Sequence, residues 1–168
     1  MMESQILPED EVTPAYLFEL MRRHRLVLHN MELTVDRCRQ ISGKSAVLMI
    51  TDSDKDVARA VVCPGYTDGL TLDVVPIPSM VSTPKLRNEA GMHISDFINK
   101  ALNSGDYRYV TSYVPETRFR TVKILTSAGF VKRGYLEDGV RLAGKEPEGL
   151  VILQFLGSRM NGERNGTI

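Results

Sequence analysis

The sequence predicts one α/β (α+β) domain organised around a mixed, mostly antiparallel central sheet. Three observations carry that reading. Residues 46–51 (AVLMIT), 57–63 (VARAVVC) and 70–75 (LTLDVV) are short β-rich runs separated by turn-forming residues, the pattern of a meander. Residues 84–102 (PKLRNEAGMHISDFINKAL) set Ala90, Ile94, Phe97, Ile98, Ala101 and Leu102 on one helical face. Residues 107–114 (YRYVTSYV) then alternate like a half-buried strand, and a strand, helix, strand order implies a right-handed crossover with some parallel pairing.

In chain order, residues 5–7 form a short first strand ended by Pro8. Thr13 and Pro14 read as an N-cap and first helical residue, with Tyr16, Leu17, Leu20 and Met21 as the apolar stripe of a helix ending near His24. A second helix starts near Thr34 and turns Val35, Cys38 and Ile41 inward. It stops at Ser42-Gly43, where Gly43 suits the left-handed C-terminal conformation. The polar turn 52–56 makes the first two β-rich runs an antiparallel hairpin, and Pro64-Gly65 with Asp68-Gly69 reverses the chain into the third. Pro76 and Pro78 cannot donate to a ladder, so that strand is expected to splay or bulge away from its neighbour there.

Beyond the central helix, Ser104-Gly105-Asp106 turns into the alternating strand, which Pro115 ends. Residues 117–128 have helical spacing through Phe119, Val122 and Leu125, and Gly129 closes that helix into a strand starting at Phe130-Val131. A Gly- and charge-rich connection, 137–149, leads to a last strand at 150–156. Residues 1–157 make the domain and 158–168 a mobile polar tail.

Composition narrows the function classes. The 168 residues are 42% hydrophobic and 25% charged, values of an ordinary globular chain. Twenty-one basic residues balance 21 acidic ones, and no exposed aromatics interleave with the charges, so nucleic-acid binding is not expected. The two cysteines, Cys38 and Cys63, lack metal-ligand spacing and read as reduced core thiols, while no apolar run reaches the ~20 residues of a membrane span. The first residues lack the basic and apolar regions of a signal peptide, and the expected location is cytoplasmic.

One stretch suggests chemistry. A polar loop bearing Pro84, Arg87 and the small pair Ala90-Gly91, set between a strand and a helix N-terminus, offers free amides and a positive dipole end to a phosphate. His93 sits beside it. His24 and His29 have no ligand partners at metal spacing, and the basic clusters Arg22, Arg23, Arg25 and Arg118, Arg120, Lys123 read as solvated faces, the second also suiting a phosphate or an acidic partner.

The element order and two local patterns resemble the GCN5-related N-acetyltransferase (GNAT) family. There the fourth strand runs into P-x-x-R-x-x-G-x-G and a helix whose amides hold the pyrophosphate of acetyl-CoA. Pro84 and Arg87 fall in register with that motif, with Ala90 and Met92 at the two glycine positions. The family's N-x-x-A-x-x-x-Y-x-x-x-G-F pattern falls on the later helix. Gly129-Phe130 is retained, while Arg118, Thr121 and Leu125 replace the asparagine, the alanine and the tyrosine that protonates the departing thiolate.

The resemblance implies a GNAT-like sheet with helices on both faces, acetyl-CoA as cofactor, and N-acyltransfer to an amine of a small molecule or protein. It implies a pyrophosphate seat on the amides of Arg87, Asn88, Glu89, Ala90, Gly91 and Met92, and a carbonyl contact from Met80 or Val81 beyond the prolines. Tyr113 and Ser127 are the candidates to replace the missing tyrosine, and Asp73 or Glu116 to act as base. The alternative reading is a catalytically inactive GNAT-fold interaction or assembly protein. Versions with leucine for tyrosine are similar to GNAT-like proteins of short-tailed bacteriophages, some associated with virion or head assembly. A homo-oligomer through edge pairing or exchange of the last strand is compatible with this architecture.

Overall fold

The computed structural model describes residues 1–24, 34–65, 69–141 and 144–156. The expectations for Arg25, His29 and the tail 158–168, and the side chains of Arg23 and His24, lie outside the described residues. Seven strands form one sheet: β1 (Met2–Ile6), β2 (Ala46–Asp52), β3 (Lys55–Pro64), β4 (Gly69–Pro76), β5 (Tyr109–Pro115), β6 (Phe130–Val140) and β7 (Glu148–Phe155). Their spatial order is β1-β2-β3-β4-β5-β7-β6, and every pairing is antiparallel except β4 with β5. The crossover between those two is α3 (Pro84–Asn103), as the strand, helix, strand order requires.

The meander follows from its turns. Ser53 and Asp54 both take positive φ, the signature of a two-residue type I′ reversal, so β2 and β3 run on to Asp52 and Lys55 and shorten the expected turn. Helix α1 (Pro14–His24) starts where Thr13 accepts the Tyr16 amide at 3.1 Å. Helix α2 (Val35–Ile41) starts on Thr34 in the same way. It buries Cys38 and Ile41, but Val35, at its first position, faces solvent. Gly43 does not take the left-handed conformation. It lies inside a 3-10 turn, Ser42–Lys44, that tightens the helix end and leaves no role for a positive φ.

Helices cover both faces. On one, Leu17, Leu20, Met21, Cys38 and Ile41 pack on Val47, Val61, Cys63 and Val75. Burial there pushes the Cys63 thiol up to about 12, with the nearby Asp73 carboxylate acting in the same direction. On the other, α3 and α4 (Phe119–Ala128) bury Ala90, Ile94, Ile98, Ile124 and Leu125 against Leu72, Val74, Val110 and Val114. Gly129 caps α4 at φ 107°, the left-handed residue expected there. Strand β6 is far longer than its expected start at Phe130-Val131. Charged residues and two register shifts hide its periodicity.

Gly91 is a point of close approach between α3 and α4. A Cβ there would stand 3.0 Å from the Ala128 amide nitrogen and from Ser127. Because those are atoms of the facing helix near its backbone, Gly91→Ala is expected to force the helices apart and to lower stability by ~1–3 kcal/mol in urea unfolding. Gly43→Ala, with nothing within 4 Å, is expected to be neutral or slightly stabilising in the same measurement.

Candidate functional site

Strands β4 and β5 pair only from Gly69 with Tyr109 to Thr71 with Thr111. Beyond that they diverge, while β4 stays paired to β3 as far as Pro76. The splay expected from Pro76 and Pro78 therefore opens on the β5 side. A cavity of ≈ 250 Å³ occupies the opening, walled by Val74, Pro76 and Pro78 on one side and by Thr117, Arg118, Phe119 and Arg120 on the other.

Divergence takes from β4 the hydrogen-bond partners that β5 would supply, and side chains take their place. The buried Ser112, one register step past the last pair, donates its hydroxyl to the Leu72 carbonyl at 2.7 Å. Thr121 of α4 reaches the Val74 carbonyl at 3.5 Å, and the Val74 amide donates to the carboxylate of the adjacent, buried Asp73 at 3.0 Å. Thr121 occupies an alanine position of the family pattern; its hydroxyl is what a bonded carbonyl needs there.

The stretch read as a phosphate loop is placed differently. Strand β4 ends at Pro76, so the strand-to-helix connection is residues 77–83, with a 3-10 turn at Pro78–Val81. Pro84 is already the first residue of α3, behind the N-cap Thr83. The Arg87 amide donates to the Thr83 carbonyl, and the amides from Asn88 to Met92 belong to the helix ladder, so none of these is free to meet a pyrophosphate. Their side chains are structural. The guanidinium of Arg87 caps the carbonyls of Val81 and Ser82 at 3.2 and 3.0 Å. Glu89 accepts the Met2 amide at 2.9 Å, His93 bonds Ser4 at 2.8 Å, Ala90 is in the core and Gly91 meets α4. Met92 is 67% exposed and plugs nothing. The Met80 amide is held by the Ile77 carbonyl, and the Val81 side chain is fully buried.

The acid–base candidates are scattered. Ser127 lies 2.9 Å from Asn88 and 3.0 Å from the Lys123 carbonyl, near the far end of α4 and about 9 Å along the helix from Thr121 at the cavity. Tyr113 packs with Val140 and Leu150, and Leu125 is fully buried. Glu116 immediately precedes the cavity wall. It accepts the Tyr135 hydroxyl at 2.7 Å and the Gly149 amide at 3.3 Å, and this bond raises the Tyr135 pKa, aided by partial desolvation and neighbouring carboxylates. Sequence reasoning passed over Ser112 and Phe119. Ser112 was visible as the one polar residue sharing a strand face with Val110 and Val114.

On the opposite face, a cavity of ≈ 320 Å³ is lined by Tyr16, Glu19, Asp56, Arg59, Val75 and Ile77. Arg59 is fixed there by the Tyr16 hydroxyl at 2.8 Å and by Asp56 at 3.4 Å. Val75 is in the lining of both cavities, at the end of β4. Among the described residues no cluster of His, Cys, Asp and Glu is arranged to hold a metal ion, and no helix is long and apolar enough to cross a membrane.

A seven-stranded sheet of this order, splayed between β4 and β5 and covered on both faces, is the fold of the GNAT acetyltransferases. Similar solved structures include a GNAT acetyltransferase from Streptococcus pneumoniae, with TM-score 0.62 and 14% identity over 92% of this chain and 98% of that one. The spermidine N-acetyltransferase of Vibrio cholerae, in complex with CoA and spermine, matches with TM-score 0.61 and 12% identity over 95% and 98%. A ribosomal-protein alanine N-acetyltransferase from Escherichia coli matches with TM-score 0.56 and 15% identity over 92% and 93%. No family model and no curated protein sequence matches the chain.

Because Ser112 satisfies a buried carbonyl that β5 has abandoned, Ser112→Ala is expected to cost ~1–2 kcal/mol in chemical denaturation, well above the effect of a surface serine.

Proposed function

We propose that the chain is an N-acyltransferase that takes acetyl-CoA in the β4/β5 cleft and transfers its acetyl group to an amine of a small molecule or protein. The observation that carries this is the splay itself: an open cavity of ≈ 250 Å³ between two strands, with Arg118 and Arg120 at its wall. The GNAT fold and the CoA complex of the V. cholerae enzyme support it.

The bound donor supplies an activated carbonyl and a thiolate leaving group; the chain supplies placement. The β4 donor for the carbonyl oxygen is the Val74 amide at the splay, which exchanges its 3.0 Å bond to the Asp73 carboxylate for the bound carbonyl, whereas the Met80 amide stays in its 3-10 turn. Glu116, held by Tyr135 and Gly149, is the base for the acceptor ammonium. No acid stands at Leu125, and a thiol of ordinary pKa near 8.5 leaves unassisted at a rate lower by about 10²-fold or more. The acceptor approaches from the α1 face, where Glu19 and Asp56 offer carboxylates to a cationic amine and the cavity reaches Val75.

A second reading, a GNAT-fold interaction or assembly protein without catalysis, is favoured by the internal satisfaction of the splayed backbone by Ser112, Thr121 and Asp73. Calorimetry with acetyl-CoA and desulfo-CoA separates the two. Saturable binding, followed by thiol release in the presence of an amine panel, is expected; no heat at millimolar donor would sink the proposal, and binding without transfer to any amine would select the second reading. Glu19→Lys is expected to raise KM for a cationic acceptor several-fold while leaving CoA affinity unchanged, as measured by steady-state kinetics and calorimetry together.

A further inference from the structure

We infer that the nucleotide end of the donor, a nucleoside 3′-phosphate 5′-diphosphate, is anchored by Arg120 and Lys123 around Phe119 on α4, and not by the start of α3. The inference rests on the CoA reading above and relocates the phosphate contacts within it.

The start of α3 has little left to give an anion. Pro84 has no N–H, the Leu86 amide donates to the Thr83 hydroxyl at 3.3 Å, and the Arg87 amide donates to the Thr83 carbonyl at 3.1 Å. Arg87, the cation expected to meet a phosphate, spends its guanidinium on the carbonyls of Val81 and Ser82. The connection 77–83 (IPSMVST) contains no glycine, so side chains flank its whole backbone.

Across the cavity the situation is reversed. Phe119 is 50% exposed, with the Arg120 guanidinium 4.7 Å from its ring centroid and the Lys123 ammonium at 5.5 Å. Neither cation is in an ion pair with a described residue, and the first turn of α4 carries no acidic side chain. Two uncompensated cations are thus gathered on an aromatic plate beside a cavity that Phe119 and Arg120 themselves line. A polyanion relieves their mutual repulsion, and a purine has the ring face or the guanidinium plane to stack on. A singly charged carboxylate would use only part of this arrangement; adjacent phosphates with a base use all of it.

The test is calorimetry of the full chain with CoA, 3′-dephospho-CoA and adenosine 3′,5′-bisphosphate. The variants are Arg120→Gln and Lys123→Gln, singly and together, and, as a control matched to the single variants by its loss of one charge at the α3 end, Lys85→Gln; all of these positions are exposed, and circular dichroism checks folding. The double variant is expected to bind CoA about 30-fold or more weakly, and Lys85→Gln within about 2-fold of the parent. The parent is expected to prefer CoA over 3′-dephospho-CoA, and the double variant to lose that preference. CoA bound equally by parent and double variant would overturn the anchor and leave the acyltransferase reading standing. If the parent binds no CoA, that reading fails. The bisphosphate then decides the anchor: binding that the double variant loses upholds it, and no binding overturns it.

Discussion

The backbone of β4 cannot be left unbonded once β5 turns away from it, and much of this molecule answers that constraint. Three pairs, Gly69 to Thr71 with Tyr109 to Thr111, hold the two strands together. Beyond them a buried carbonyl or amide without a partner costs ~1–3 kcal/mol. The chain meets that demand from three directions: Ser112 from the neighbouring strand, Asp73 from β4 itself, and Thr121 from the helix packed above. Each is a polar side chain buried to 6% exposure or less. Any ligand entering the cleft must therefore compete with the protein's own hydroxyls and carboxylate.

The helices on that face are organised to support the cleft. Helix α3 is tied to β1 through Glu89 and His93, and to α4 through the Gly91 contact and the Asn88–Ser127 bond. Asn88, Glu89 and Gly91, read as ligand contacts from the sequence, thus hold α3 to its neighbours in the structure. The cavity is walled instead by the first turn of α4 and by Pro76 and Pro78, upstream of Pro84.

That displacement shows what the sequence could and could not convey. The strands of the meander, the Thr13-Pro14 cap and the Gly129 terminus were legible because each is a local signal with a local cause. Thr13-Pro14 and Thr83-Pro84 are the same start signal, and both open a helix; a P-x-x-R spacing at the second made it resemble a loop motif. Three prolines lie between 76 and 84, and only the pairing of β4 with β3 as far as Pro76 tells which of them ends the strand. The β6 edge strand was hidden for a different reason. Lys132, Arg133, Glu137 and Asp138 and its irregular register erase the alternation that betrays a strand, which also protects an open sheet edge from unwanted pairing.

The Gly91 contact has a mechanical consequence. It fastens the last turn of α4 to α3, whereas the first turn is held over the cavity by the long Thr121 bond, by the Thr117 hydroxyl on Glu148 at 2.9 Å and by packing. Helix α4 runs from Phe119 at the cavity to Ala128 at that contact. Over an arm of about 13.5 Å, a tilt of roughly 10° would shift the Phe119 end by about 2 Å. A residue that lines no part of the cleft thus bears on its width, because it fixes the far end of the helix that walls it.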